Sequence, residues 1–332
     1  MTMTSSKGGK RARRLLLLAG AAVIALCAGM AFAQPYPARP IRIIVPATPG
    51  GGVDIIARAL AQRLTESWGQ TVVVENRPGA TGVIGFEAVA RAAPDGYTVV
   101  ACTNAMLTIS PYLLPQAGYD PVRALAPVTL AASSPFLLVV HPSLPVRSVK
   151  ELITFAKSHP GQLNYSSSGN GSATHMAGVL FDHMAGVKTV HVPYKGSSPA
   201  ITDLLAGQIQ LRFAAFVPIL PHVRAGKLRT LAVSGPKRFG QMPELPTVME
   251  TVPGYTSDIW YGVLVPGATP APLIARLNAE IVRHLQSAEF KARLAADGSE
   301  PVANSPSEFA AVIQADVQRW SKVIRETGIK LQ

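Results

Sequence analysis

Two short stretches carry the residue types that could hold a ligand. Residues 45–58 read VPATPGGGVDIIAR, with Gly50, Gly51 and Gly52 in a row ahead of Asp54. Residues 164–175 read NYSSSGNGSATH, where Ser166, Ser167, Ser168 and Ser172 surround Gly169 and Gly171. Glycine permits φ > 0 and a close backbone approach. N–H groups at a helix start point outward with the positive end of the helix dipole, which suits an anion. In the second stretch, serine hydroxyls add donors to a nest of backbone N–H groups. The bland alternative for both is an ordinary turn, with Asp54 as a helix cap. Neither the G-x-G-x-x-G spacing of a dinucleotide site nor the Gly-Lys-Ser/Thr ending of a P-loop is present in the first stretch.

Catalytic patterns are missing. The chain has no G-x-S-x-G elbow and no H-E-x-x-H. Its 7 histidines show no metal-ligand spacing with carboxylates or cysteine. Ser168 with His175 would imitate a nucleophile and base, but no third orienting acid is near. We therefore expect no enzyme, no metal and no cofactor. Asp54 would repel an anion and reads better as a helix cap. His175 reads as structural, Lys195 as a surface lysine, and Arg77 as a tether for its own loop. Trp260 and Tyr261 alternate in facing, so one can wall a cleft while the other packs in a core.

The elements that position these loops alternate between strand and helix. Strand patterns cover residues 41–45, 71–75 and 97–102, with helical spacing after Gly52 and over 83–92. Residues 111–127 read as a proline-rich crossing. A second series follows: a strand at 136–140, a helix from the Ser148/Glu151 capping box to about 158, and a strand at 163–166. Next come a helix at 174–185, a strand at 189–192, a helix from Ser198 and Pro199 to Gly207, and strands at 209–213 and 230–233. The chain then returns with a strand at 259–266, a helix at 270–287 and a last helix from Ser305 and Pro306 to about 327. Two α/β series of this kind make a two-lobed molecule with two crossings.

The N-terminal stretch reads as a leader. Lys7, Lys10, Arg11, Arg13 and Arg14 precede an apolar run over residues 15–28 and the small-x-small site Ala31, Phe32, Ala33. This is the pattern of a secretory signal peptide cleaved after Ala33. The run is too short for a spanning helix, which needs about 20 residues. Leu26 ahead of Cys27 does not fit a lipobox, and Arg13-Arg14 only hints at twin-arginine export. The whole chain has 31 Lys+Arg and 19 Asp+Glu; without the five basic residues of the leader, 26 against 19 leaves +7. With 6% aromatics and no basic cluster outside the leader, a nucleic-acid partner is not expected. Cys102 would be the one thiol of the mature chain, inside the strand YTVVACT, and reads as buried and inert.

The chain resembles the periplasmic solute-binding receptors of tripartite tricarboxylate transporters, the Bordetella-uptake-gene (Bug) type. The motifs are YPARPIRIIVPATPGGGVDIIAR, GQTVVVENRPGATGVIG, APDGYTVV, NYSSSGNGSATHMAG, VHVPYKGSSPAITDLLAGQI, WYGVLVPGATP and EFAAVIQADVQRWSKVIRETGIK. They run in order over essentially all of the chain beyond the leader. The resemblance implies an α/β, two-lobed type II periplasmic-binding-protein fold with the ligand cleft between lobes. One lobe would comprise residues 34–132 and 254–332, the other 133–253, with hinges near 131–134 and 252–255. It implies a periplasmic monomer that takes a small carboxylate to membrane permease subunits; a partner sensor kinase is the alternative. Carried onto this sequence, it points to Ala47, Thr48, Gly50 and Gly51 on one wall. Ser166, Ser168, Gly169, Gly171 and Ser172 would form the other, with Asn104 and Ser133 at nearby strand ends. Three positions depart from the family habit. Ala47 stands where an aromatic is frequent, Gln210 where an acid is, and Ala214 near a usual Asp or Asn. The apolar FAAF widens or greases the pocket and leaves the ligand's identity open.

Overall fold

The computed structural model describes residues 36–79, 82–113, 120–296 and 298–329. The leader and its cleavage site after Ala33 lie outside them. The strands fall within the unit Arg39–Gln332. In chain order they are β1 (Ile41–Val45), β2 (Val72–Asn76), β3 (Thr98–Thr103), β4 (Leu125–Pro135), β5 (Leu137–Val140), β6 (Asn164–Ser167), β7 (Val190–Pro193), β8 (Leu211–Ala214), β9 (Arg229–Val233), β10 (Asp258–Pro266) and β11 (Glu300–Pro301). The longer helices are α1 (Gly52–Trp68), α2 (Val83–Ala90), α3 (Val149–Ser158), α4 (Ala173–Ala185), α5 (Ser197–Leu205), α6 (Phe216–Arg224), α7 (Ala271–Leu285), α8 (Ala288–Ala296) and α9 (Pro306–Thr327).

Two sheets result. The first has the order β11-β4-β10-β3-β1-β2 and the second β7-β6-β8-β5-β9. Period-two alternation gives each sheet two buried faces. On the first, Ile41, Ile43, Val99, Ala101 and Val263 meet α1 and α7. Ile44, Val100, Cys102 and Leu264 on its other face meet Phe86 of α2 and Phe309 and Ile313 of α9. Burial pushes the Cys102 thiol up, as expected of an inert cysteine. On the second sheet, Leu138, Val140, Leu211 and Phe213 pack on Leu152 of α3 and Phe181 of α4. Leu137, Val139 and Ala214 face Ile201 and Leu204 of α5 and Ile219 of α6.

The topology brings one edge of each sheet together. β1 and β3 are parallel, and β10 starts beside the end of β3, with Tyr261 opposite Thr103. β4 ends beside the start of β10, with Pro135 opposite Asp258. The loops after β1 and β3 therefore share an edge with the end of β4. In the second sheet β6, β7 and β8 are parallel and end at one edge, where Leu137 begins β5 opposite Ala214. Only Phe136 separates β4 from β5, so the two edges adjoin. This is the two-lobed α/β fold, with its cleft between the strand-end edges.

The joins differ from expectation in place. Residues 131–134 lie inside β4, where Ser133 pairs with Trp260 and Ser134 with Ile259, so their backbone is held in the ladder. Val252 and Tyr255 are buried in the second core. The chain passes between the sheets at Phe136 and, on its return to β10, near Ser257, with Ser234 bonded to both. The Phe136 N–H donates to the Ser234 hydroxyl at 2.8 Å. The Ser234 N–H donates to the Phe136 carbonyl at 2.9 Å, and Ser257 N–H to the Ser234 carbonyl at 2.9 Å. A third tie was not expected. Helix α9 places Phe309 and Ile313 in the first core but Trp320 and Val323 in the second.

Candidate functional site

The first wall is the loop from β1 to α1. Gly50 has φ 86, a conformation that favours glycine, and its N–H donates to the Asp54 carboxylate at 2.9 Å. Asp54 is buried. It also accepts from Arg58 Nε at 3.0 Å and from the Asn76 amide at 2.9 Å. The Asn76 amide reaches the Ala47 carbonyl at 3.1 Å as well. Burial pushes the Asp54 carboxyl up, but the hydrogen bonds from Arg58, Gly50 and Asn76 outweigh it and hold the group below its ordinary range. Asp54 thus clamps the loop from inside the first turn rather than sitting at the cap position. That position belongs to Gly51, and no side chain caps it. The first N–H groups of α1 lack intrahelical acceptors by geometry, and Thr48 is exposed beside them. A Cβ on Gly52 would lie 2.5 Å from the Tyr261 hydroxyl, so glycine there lets the phenol rest on the helix start. Trp260, next along β10, is buried and donates to Asp316 at 2.7 Å. Of the aromatic pair, Tyr261 is the one at the wall.

Two other expected residues, Asn104 and Ser133, sit on this edge. The Asn104 amide donates to the Asp258 carbonyl at 2.7 Å, and its oxygen accepts from the Ala105 N–H at 3.0 Å, capping the π turn Ala105–Ile109. Ser133 lines a small pocket at the join with Gly235, Lys237, Asp258 and Glu300.

The second wall is built around β6. Gly169 and Gly171 have φ 131 and 73. Their N–H groups, expected to face a ligand, are used inside the loop: Gly169 donates to the Ser167 hydroxyl at 3.1 Å and Gly171 to His175 Nδ1 at 3.0 Å. The Ser168 N–H goes to Thr174 Oγ1 at 3.0 Å. The Ser172 hydroxyl caps α4, accepting from the His175 N–H at 3.2 Å. What the loop offers outward is side-chain hydroxyl. His175 is the neutral tautomer with Nδ1 unprotonated, since Nδ1 accepts. Burial, with His191 stacked 3.7 Å away, pulls it down to about 3; burial pulls His191 down to about 4. The Ser168 hydroxyl meets Ser197, Thr174 and Arg212, so no Ser168–His175 dyad forms among these bonds. Lys195 is exposed.

Sequence reading missed Arg212 and Ser197. Arg212 sits on β8, 1% exposed, with Leu211 and Phe213 turned to the opposite face. Its guanidinium donates to Ser166 Oγ at 3.2 Å, Ser168 Oγ at 3.1 Å and Ser197 Oγ at 3.2 Å. Its Nε is buried without a partner, and among the described residues it forms no ion pair. Burial pulls it down to about 10, which leaves it cationic at neutral pH. The signal was available in QLRFAAF: a charge amid a short apolar strand is rare in a sheet buried on both faces.

Residues 56–329 match the model of the tripartite tricarboxylate transporter family receptor. The chain belongs to this receptor family. Protein BugT of Bordetella pertussis (strain Tohama I) is 39% identical over 321 residues, covering 95% of this chain and 98% of that protein. Among solved structures, R. palustris Rpa4515 with adipate is 38% identical with a TM-score of 0.76, covering 89% of this chain and 99% of that one. MatC (Rpa3494) from Rhodopseudomonas palustris with bound malate is 30% identical with a TM-score of 0.72, covering 87% and 100%. The family receptors and this chain share the two-lobed α/β fold. Among the described residues no helix is long and apolar enough to cross a membrane.

Proposed function

We propose that the chain is a periplasmic receptor that captures a small carboxylate in the cleft and delivers it to the permease subunits of a tripartite tricarboxylate transporter. The observation that carries this is the pair of small-residue strand-to-helix loops, one per sheet, on edges that adjoin at Phe136. One loop offers an uncapped helix start and Thr48; the other offers serine hydroxyls backed by positive charge. Both are donor surfaces, as a carboxylate requires. Family membership and the relatives carrying adipate and malate support the same class of ligand. We assign Ala47, Thr48, Gly50, Gly51 and Tyr261 to one wall. Ser166, Ser168, Gly169, Gly171, Ser172 and Ser197 form the other; Gly169, Gly171 and Ser172 shape the loop. Asn104 and Ser133 support the edge from behind. The leader directs export and is removed after Ala33. Native mass spectrometry of protein purified from the periplasm tests the reading. A retained carboxylic acid, released unchanged, is the expected result. A retained sugar or amine, or conversion of the bound acid, would overturn it.

A further inference from the structure

We propose that Arg212 reads charge for the serine-loop wall: its buried guanidinium, working through Ser168 and Ser197, requires the ligand end seated there to be an ionised acid. This rests on the receptor reading above and adds a residue that discriminates acid from neutral isostere. A buried cation without a counter-charge is costly to keep. Three serine hydroxyls solvate Arg212 but bring no negative charge, and Nε is left without any acceptor. The Tyr194 phenol also acts on it, but burial and the bond that phenol donates to Asp203 at 2.6 Å push it up to about 12, so it brings no negative charge at neutral pH.

The hydroxyls carry this charge to the cleft. Ser168 and Ser197 both accept from Arg212 Nη2, and they bond each other at 2.9 Å. Their oxygens are committed to the guanidinium. One of their protons serves the bond between them, and the other is left to donate to a ligand. Both residues are half-exposed, whereas Arg212 is not. The starts of α4, capped by Ser172, and of α5, which begins at Ser197, converge on the same place and add positive dipole ends. A carboxylate here completes a charge-assisted network, while an amide leaves the cation uncompensated.

Isothermal calorimetry with the linear C3 to C8 α,ω-dicarboxylates and their diamides tests this, using wild type, Arg212→Met and Arg212→Lys. The tightest acid for wild type is the probe. In Arg212→Met the ratio of acid to diamide affinity should shrink at least tenfold, and Arg212→Lys should keep part of it. The melting temperature without ligand should be unchanged or higher in Arg212→Met, because an uncompensated buried charge is removed. A melting temperature that falls while the ratio stays at the wild-type value means Arg212 only packs β6, β8 and α5 together, and overturns the inference while leaving the receptor reading intact. Wild type that binds neither this series nor a wider panel of mono-, di- and hydroxycarboxylic acids removes the carboxylate reading, and this inference with it.

Discussion

His175 shows how one side chain ties the candidate site to stability. Its Nδ1 accepts from the Gly171 N–H at the loop, and burial with His191 alongside holds it neutral down to about pH 3. An unfolded histidine titrates near 6.5. The unfolded chain therefore binds more protons between these values, and stability rises with pH across that window. Conversely, as pH falls from about 6.5 toward about 3, this residue withdraws at most ~1.4 kcal/mol per unit. Urea unfolding at pH 7, 5.5 and 4.5 should show this decline, and a His175→Asn variant, which keeps an acceptor near Nδ1, should flatten it. Equal slopes for the two proteins would remove His175 from the account. The loop's small residues and the inert Cys102 were legible because each follows from local composition; Ser172, expected to serve the ligand, caps α4 instead. The use of the loop N–H groups was not, because it depends on Thr174, Ser167 and His175 folding back on them. The charge of Arg212 stands out in its strand, but its role was hidden by distance: its hydroxyl partners lie 15, 44 and 46 residues away.

At the scale of elements, α9 is the piece whose role only the folded chain reveals. Its start was read from Ser305 and Pro306 and its end placed near 327; the structure adds the Ser305/Glu308 capping box and the stop at Gly328 with φ 66. Nothing in its spacing says that one turn serves one sheet and a later turn the other. Trp320 is buried in the second core. Replacing it with alanine should cost ~3–5 kcal/mol, measured by denaturant unfolding. Its indole N–H is buried without a partner, so Trp320→Phe should cost far less than Trp320→Ala. A loss below about 1 kcal/mol for Trp320→Ala would mean that α9 does not anchor the second core. Among the elements that escaped the sequence reading, two did so through proline. β4 carries Pro127, which is tolerated because β11 pairs only with Ala132 and Ser133 and leaves that stretch without a neighbour strand on one side. α6 carries Pro218 in its first turn, where no N–H is needed, and Pro221 further in. The alternation of strands and helices was otherwise legible, since apolar period and caps are local signals.

For the whole molecule, the joins decide how the lobes move. We propose that they close on the ligand about Phe136, Ser234 and Ser257, with α9 flexing as the third tie. A ligand that touches both walls favours the closed state only through the contacts it gains there. Small-angle scattering should give a smaller radius of gyration at saturation, and an unchanged radius would mean a one-sided or preclosed site.

The central claim is that the cleft takes a carboxylate, and thermal denaturation with a ligand panel tests it most directly. A carboxylate at ~100 times its dissociation constant should add about 2.7 kcal/mol. That corresponds to an upward shift on the order of 5 °C. This shift is expected for at least one small dicarboxylate such as adipate or malate, and none for the corresponding diamides. Shifts with sugars or amines, and none with any carboxylate, would contradict it.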